Sequence, residues 1–354
     1  MAIRRRALAI LLYTLGVFVF LEGSARVALR IDPFFRRVAG VDSSSWRLRF
    51  VRRSGSLGYG FDAWDAERGW ALKPNLRDLK VFSGKDLNSD SWGSRGRTDH
   101  EGENKSARGR ILVLGDSFTF GEDVSDDETY SARLEASLPG VEVLNLGVHG
   151  YGHDQMLVSL QKIGPKVHPD IVLLGFVGED MERNLVEFRD FAKPRFVLKG
   201  QDLVLENSPV PSPEEVRQRE IYRSKFEDLL VILWDHYRLN SPARERAMRD
   251  VTFRILEEMG KTARELGAVP VFAYLPVHGE IDKPDNAMTR GEHAFFTFCR
   301  AQGIQSVYLR PFYLAKLRAG VSFKTFGHWS PLEHATAAEG IRAYLLEKHL
   351  LRGE

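Results

Sequence analysis

Short apolar runs alternate with longer amphipathic stretches along the chain from residue 110 onward. Each run is short enough for a buried strand, and each amphipathic stretch is long enough for a helix. Such alternation is typical of a parallel sheet with helices on both faces, so the pattern predicts a doubly wound α/β domain. The predicted strands are 111–114, 141–146, 171–176, 269–275 and 305–309; the predicted helices are 125–139, 154–163, 212–237, 242–266, 286–302 and 331–350.

Three regions are predicted along the chain. Residues 1–30 form an N-terminal signal anchor or transmembrane helix, 31–106 an irregular lead-in of short strands and turns, and 107–354 the α/β domain. The alternation stops at about 185–265, where a small hairpin and helices are inserted after the third strand. We expect the lead-in to cover part of the domain and to help shape its cleft.

The N-terminus has the pattern of a membrane-targeting segment. Three arginines, Arg4 to Arg6, precede an apolar run over 7–21. Gly23-Ser24-Ala25 offers small residues for signal peptidase, whereas the apolar pattern continues past Ala25, which favours a retained anchor. The basic flank predicts that the remainder of the chain is exported. A buried N-terminal helix of a cytoplasmic protein is the alternative.

Composition narrows the partners and the chemistry. The 354 residues are 43% hydrophobic and 28% charged, with a net charge of +2, which is ordinary for a globular protein. No stripe of basic and aromatic residues indicates nucleic-acid binding. Cys299 is the only cysteine, so an internal disulfide is excluded. No metal-binding or phosphate-loop motif occurs, and we expect neither a metal nor another cofactor.

The most informative stretch is 111–121, where four apolar residues are followed by Gly115-Asp116-Ser117. Ligands bind at the carboxyl ends of the strands in an open parallel sheet. A serine at that place can present its hydroxyl to a substrate, with backbone N–H groups nearby. The alternative is that Ser117 only caps a helix.

This stretch resembles the first conserved block of the SGNH (GDSL-type) hydrolases, which carries the serine nucleophile. The segment 145–152 resembles the second block and places Gly150 at the oxyanion position. Gly178-Glu179-Asp180 matches the third block, with Glu179 in place of the usual asparagine. His328 matches the histidine of the last block, but the aspartate that normally precedes it is missing. The resemblance covers about residues 107–348 and implies a flavodoxin-like sheet of five parallel strands.

The resemblance implies that Ser117 attacks an ester carbonyl and that His328 accepts its proton. The N–H groups of Ser117 and Gly150 would hold the oxyanion, with Glu179 a doubtful third member. Topology places three carboxylates where one of them can replace the missing aspartate; singly, each is more simply explained as a solvated loop residue. These candidate substitute acids are Asp180, Glu280 and Asp282.

Several histidines and one tryptophan have open roles. His149 and His153 flank Gly150 and are equally consistent with structural and substrate-contact roles. His334 is a weaker catalytic candidate than His328, and Trp329 is more simply explained by packing than by stacking on a sugar.

The expected function is a membrane-tethered, extracytoplasmic serine hydrolase. Its expected partners are the membrane and an ester-bearing small molecule or glycan, such as an O-acyl or O-acetyl group of an envelope glycan or lipid. An O-acyltransferase that uses the same acyl-enzyme is a close variant. The two departures from the family pattern favour another alternative, a catalytically impaired protein that binds an envelope polysaccharide or a partner.

Overall fold

The computed structural model describes most of the chain, including the segments that contain Ser117 and His328. The described residues are 2–31, 57, 59–100, 108–238, 241–281, 287–324 and 326–352.

Strands and helices alternate along the chain from residue 109 onward, as the sequence pattern predicts. The strands are β1 (Asp62–Asp65), β2 (Gly69–Leu72), β3 (Leu79–Val81), β4 (Lys85–Leu87), β5 (Gly109–Leu114), β6 (Val141–Asn145), β7 (Ile171–Phe176), β8 (Arg195–Lys199), β9 (Asp202–Glu206), β10 (Val269–Tyr274) and β11 (Gln305–Tyr308). The helices are α1 (Ala2–Ala28), α2 (Ser117–Phe120), α3 (Tyr130–Ser137), α4 (His153–Val167), α5 (Pro213–Tyr222), α6 (Lys225–Arg238), α7 (Pro242–Glu265), α8 (His278–Ile281), α9 (Arg290–Ala301), α10 (Arg310–Arg318) and α11 (Pro331–Glu347), with 3-10 segments at Asp126–Glu128 and Gly178–Leu185.

Five parallel strands form the central sheet in the order β11-β10-β7-β5-β6. Numbered along the chain within the sheet, this is the flavodoxin-like order 2-1-3-4-5, and it confirms the expected fold class. Alternate side chains of β5 enter different cores: Leu112 and Leu114 pack with α4 and α7, whereas Ile111 and Val113 pack with α3 and α11. The sheet is therefore covered by helices on both faces.

The single long helix predicted over 212–237 is wrong, because the chain breaks into α5 and α6. Arg223 has an extended backbone (φ −78°, ψ 130°), and a new helix begins at Lys225. The N–H groups of Lys225 and Phe226 donate to the Glu22 carboxylate of α1, at 3.1 and 3.0 Å. A partner about two hundred residues away satisfies these helix-end donors, so local periodicity gives no sign of the break.

Two further features of the structure differ from the sequence-based prediction: the start of one helix and the presence of another. The helix expected from residue 286 begins at Arg290, because the Thr289 hydroxyl accepts a hydrogen bond from the N–H of Glu292 and caps it there. Residues 282–286 lie outside the described residues. Helix α10 was not predicted; it begins directly after β11, and Pro311 stands in its first turn, where a proline loses no hydrogen bond.

In the described residues of the lead-in, two small antiparallel pairs form, β1 with β2 and β3 with β4. Arg95 fastens it to the catalytic domain from a buried position. Its Nε donates to Asp126 Oδ1 at 2.8 Å, and its Nη1 donates to the carbonyl of Phe120 at 2.8 Å. The lead-in therefore contacts the segment that follows the candidate nucleophile.

Helix α1 contains the stretch Ile3–Ala28, which is long and apolar enough to cross a membrane. Its most apolar window is not buried inside the protein. By length and composition, this segment is a candidate membrane anchor or signal sequence.

Candidate active site

Ser117 is the first residue of α2, at the carboxyl end of β5 in the central sheet. Asp116 caps this helix, because its Oδ1 accepts a hydrogen bond from the N–H of Phe118 at 2.9 Å. The Ser117 hydroxyl is therefore not the helix cap. Gly115 is required for the tight turn, since a Cβ at that position would stand 2.0 Å from Thr119 Oγ1.

The His328 imidazole faces the Ser117 hydroxyl, with 2.9 Å between Nε2 and Oγ. The backbone before His328 is held by His278, whose Nε2 lies 2.9 Å from the carbonyl oxygen of Gly327. The next residue, Trp329, is buried and donates from Nε1 to the carbonyl of Pro276 at 3.3 Å. Loops after β10 and β11 thus bring the histidine to the serine, as the topology predicted.

Glu122 is a third polar side chain at this place, and the sequence analysis missed it. Its Oε2 lies 3.6 Å from His328 Nε2, and its Oε1 accepts a hydrogen bond from the Tyr59 hydroxyl at 3.1 Å. Gly121 adopts a left-handed conformation (φ 89°) at the end of α2, and the N–H of Glu122 folds back onto the carbonyl of Ser117 at 3.0 Å. The carboxylate can attract the positive charge that His328 gains when it takes a proton.

Two backbone N–H groups are available for an oxyanion. Among the residues that the structure describes, the N–H groups of Ser117 and Gly150 donate no hydrogen bond. The loop that carries Gly150 is tied to the nucleophile turn by the N–H of Val148, which donates to the carbonyl of Gly115 at 3.1 Å. Gly150 has φ +72°, and a Cβ there would overlap Asp190 Oδ2 at 2.4 Å. The loop conformation therefore demands glycine.

A buried ion cluster supports this loop from below. His149 Nε2 lies 2.8 Å from Asp62 Oδ1 on β1, and its Nδ1 lies 3.6 Å from Asp190 Oδ2. Burial alone would lower the pKa of His149, but Asp190 and Asp62 raise it to about 9. Burial likewise opposes ionisation of Asp190, yet His149 and Arg189 hold its pKa below the usual range. His149 is thus an imidazolium at neutral pH, which assigns it a structural role beside Gly150.

Arg183 links the nucleophile turn to the oxyanion loop. Its Nη1 donates to Asp116 Oδ2 at 3.2 Å and to the carbonyl of Tyr151 at 2.8 Å. The Ser117 hydroxyl donates to the same Asp116 Oδ2 at 3.2 Å, so Asp116 connects the Arg183 guanidinium to the nucleophile. Lys193, fully buried and paired with Asp154, donates to the carbonyl of Arg183 at 3.0 Å and fixes its backbone.

Asp180 lies in the same cluster and not at the histidine. Its Oδ1 is 2.5 Å from Arg183 Nη1. Burial raises the pKa of Asp180 well above its usual range, Arg183 opposes this, and Asp116 adds to it. A buried carboxyl group that is held neutral beside Asp116 is poorly suited to orient an imidazolium.

The second candidate acid, Glu280, makes its hydrogen bonds to residues other than His328. Glu280 accepts from the Tyr274 hydroxyl at 2.7 Å and from the N–H of Val277 at 3.2 Å. Asp282 falls outside the described residues, as does residue 325 in the last block. Within the described part of the chain, no carboxylate bonds to the Nδ1 of His328. Glu179, the doubtful oxyanion residue, is exposed.

His153 and His334 are structural. His153 and His334 are fully buried, and burial together with nearby cations lowers the pKa of each to about 3. The Nδ1 of His334 accepts from the N–H of Tyr130 at 3.2 Å. Among the described residues, no group of three or more His, Cys, Asp or Glu side chains is arranged to hold a metal ion.

The residues that sequence reasoning missed are Glu122, Arg183, Asp62 and Tyr59. Only Glu122 carried a local signal, because it follows the nucleophile by five residues across the helix-ending Gly121. Arg183 lies four residues after Glu179 in the 3-10 segment Gly178–Leu185, and the turn of that segment buries it while Glu179 points outward.

No protein-family model matches the sequence, and no curated protein matches it. Solved structures similar to this chain include TesA, at 14% identity and a TM-score of 0.39, with 68% of this chain and 99% of that chain covered. A member of the lipolytic protein G-D-S-L family from Veillonella parvula DSM 2008 is similar at 12% identity and a TM-score of 0.38, covering 67% and 96%. Axe2, an acetylxylan esterase from Geobacillus stearothermophilus, is similar at 13% identity and a TM-score of 0.38, covering 67% and 94%. The solved structures similar to this chain thus include a G-D-S-L lipolytic protein and an acetylxylan esterase.

Proposed function

We propose that this protein is a serine hydrolase that cleaves esters through an acyl-enzyme on Ser117. The observation that carries the proposal is the 2.9 Å contact between His328 Nε2 and Ser117 Oγ at the carboxyl end of β5. A serine within hydrogen-bond distance of a base, beside N–H groups without partners, is the arrangement that nucleophilic acyl transfer requires.

The proposed reaction uses His328 twice. Ser117 Oγ attacks the carbonyl carbon while its proton passes to His328 Nε2, and the N–H groups of Ser117 and Gly150 hold the oxyanion. The C–O bond of the ester then breaks, and the leaving alcohol takes the proton from Nε2. Water next gives a proton to Nε2 and attacks the acyl carbon. The bond from that carbon to Ser117 Oγ then breaks, Oγ takes the proton back from Nε2, and the acid is released.

Arg183 supplies a positive charge behind the nucleophile turn, whereas Glu179 takes the sequence position of the resembling family's asparagine. Loss of one oxyanion donor typically costs about 3 to 4 kcal/mol of transition-state stabilisation. Glu179 is exposed and does not fill this role, whereas Arg183 lies behind Ser117 through Asp116 and touches the oxyanion loop at Tyr151. We assign to Arg183 the positioning of this turn and the electrostatic support of the oxyanion.

The proposed setting is a membrane-tethered enzyme outside the cytoplasm, acting on O-acyl or O-acetyl groups of an envelope glycan or lipid. The arginines at positions 4 to 6 favour a cytoplasmic N-terminus. Retention of α1 is supported by Glu22, because its carboxylate bonds to the first N–H groups of α6. Cleavage after Ala25 would remove this contact, so we expect the membrane-bound protein to have the mass of the uncleaved chain.

Covalent labelling tests the proposed chemistry. The full chain in detergent is treated with a neutral fluorophosphonate, and the mass shift is measured for the parent protein and for Ser117→Ala and His328→Ala. His334→Gln, six residues further on and outside the site, is the matched control. We expect stoichiometric labelling of the parent and of the control, and none of the Ser117 or His328 variants.

A folded parent that resists the fluorophosphonate would refute the hydrolase proposal. That result would favour the second candidate, a non-catalytic protein that binds an envelope polysaccharide. The absence of a carboxylate at His328 Nδ1 among the described residues is the observation behind this candidate, since loss of that carboxylate can cost about four orders of magnitude in turnover. An O-acyltransferase would label like a hydrolase but would transfer its acyl group to an added sugar acceptor in preference to water.

A further inference from the structure

A group of exposed apolar side chains lies on α5 and α6, and we call it the apolar band. Three members of α6 recur at the spacing of one helix face, and two members stand at the end of α5. Tyr222 is 90% exposed and Trp234 is 58% exposed. Contiguous apolar surface of this kind on a monomer marks an interaction site. The apolar band consists of Ile221, Tyr222, Leu230, Trp234 and Tyr237.

The apolar band begins at the point where α1 is docked. The Glu22 carboxylate accepts hydrogen bonds from the Ser224 hydroxyl at 2.8 Å and from the N–H groups of Lys225 and Phe226. Tyr222 is only two residues from this contact, hence within about 8 Å of chain. Ala25 is buried on the same part of α1.

We expect the surface of the bilayer to lie at the level of Glu22 and the start of α6. An α-helix rises 1.5 Å per residue, so the apolar run 7–21 spans about 22 Å and ends directly before Glu22. The described residues do not cover the most apolar window of α1, and in the proposed tether this window faces lipid. Glu22 and the start of α6 therefore stand at the edge of the hydrocarbon layer.

We infer that the apolar band is a second membrane-contact surface, which lies in the headgroup region of the bilayer that α1 crosses. The inference rests on the proposed tether. Trp and Tyr favour this region because their rings are apolar at one end and polar at the other, and the band holds Trp234, Tyr222 and Tyr237. Continuity with α1 favours lipid over a second protein copy as the occupant.

Spin labelling of the full chain in phosphatidylcholine–phosphatidylglycerol vesicles tests the inference. The only native cysteine, Cys299, is buried, so the unmodified chain is the blank. Nitroxide labels are attached to Tyr222→Cys and Trp234→Cys, to Leu11→Cys inside the span, and to Glu347→Cys at the far end of α11. The measurement is the ratio of collision rates with oxygen, which partitions into lipid, and with a nickel chelate, which stays in water.

We expect the ratios at 222 and 234 to lie severalfold above that at 347 and below that at 11. Ratios at 222 and 234 equal to that at 347 would overturn the inference, while a high ratio at 11 would show that the tether itself is intact. Labels at 222 and 234 that are shielded from both reagents and broadened by a neighbouring label would also overturn it, in favour of contact between two copies. A water-like ratio at 11 would refute the tether and the inference together.

Discussion

The buried imidazolium beside Gly150 gives a prediction with a worked magnitude. His149 has an ordinary pKa of 6.5 when unfolded and a pKa of about 9 when folded, because Asp190 and Asp62 outweigh the effect of burial. The difference makes the bound proton worth about 3 kcal/mol of folding free energy. Since the folded pKa is the higher one, this contribution is complete below pH 6.5, declines as the pH rises towards 9 and is absent above it. His149→Gln removes it.

The assay is urea unfolding of the full chain in detergent micelles, followed by tryptophan fluorescence at pH 6.5 and at about pH 9. We expect the free energy of unfolding to fall between these two values, and to fall by about 3 kcal/mol less in His149→Gln. His100, whose pKa burial would lower but Asp90 and Glu135 raise to about 9, contributes equally to both proteins. His334→Gln is the control, because a pKa of about 3 places its effect below pH 6.5.

Equal losses of stability in the parent and in His149→Gln would refute the reasoning. Such a result would mean that His149 is neutral in the folded protein. The His334→Gln variant should differ in the opposite direction: it should become relatively more stable as the pH falls from 6.5, because a buried neutral histidine opposes folding in acid.

Three further predictions concern the rate of Ser117 labelling by a neutral fluorophosphonate. Arg183→Gln should slow labelling about a hundredfold or more. The control Arg310→Gln breaks another buried pair, with Glu292, and should lower stability without slowing the labelling of the folded protein. Equal labelling rates in Arg183→Gln and the parent would remove Arg183 from the mechanism. Glu122→Gln should slow labelling about tenfold, because its charge no longer faces His328 Nε2, and an unchanged rate would contradict this role. Gly150→Ala should abolish labelling, since its Cβ meets Asp190, while Gly200→Ala has the same positive φ without a clash and should label normally.

The sequence predicted the sheet well because its signals are local. Each central strand is a short apolar run, and Gly115-Asp116-Ser117 follows the first of them directly. The contact between Ser117 and His328 also agrees with the expected topology, since Ser117 directly follows β5 and the loop that carries His328 reaches the same carboxyl-end edge of the parallel sheet.

The parts that escaped prediction depend on contacts between distant segments. The break between α5 and α6 is stabilised by Glu22 from the N-terminal helix, and the charge of His149 depends on Asp62 from the lead-in. A pattern within one segment carries no information about such partners. The search for a substitute acid failed for a related reason: it considered loops after the strands, whereas Glu122 returns to the site through the left-handed turn at Gly121.

These long-range contacts connect helix α1 and the lead-in to the α/β domain that carries the candidate site. Tyr59 holds Glu122 beside His328, and Asp62 holds His149 beside the oxyanion loop, so the lead-in supplies structure that the catalytic domain lacks by itself. At the other end, Glu22 fixes α1 to α6 through direct hydrogen bonds. In the proposed membrane-bound enzyme, these contacts would hold Ser117 and His328 at a set distance from the bilayer, and the distance of an ester from the membrane would then contribute to substrate selection.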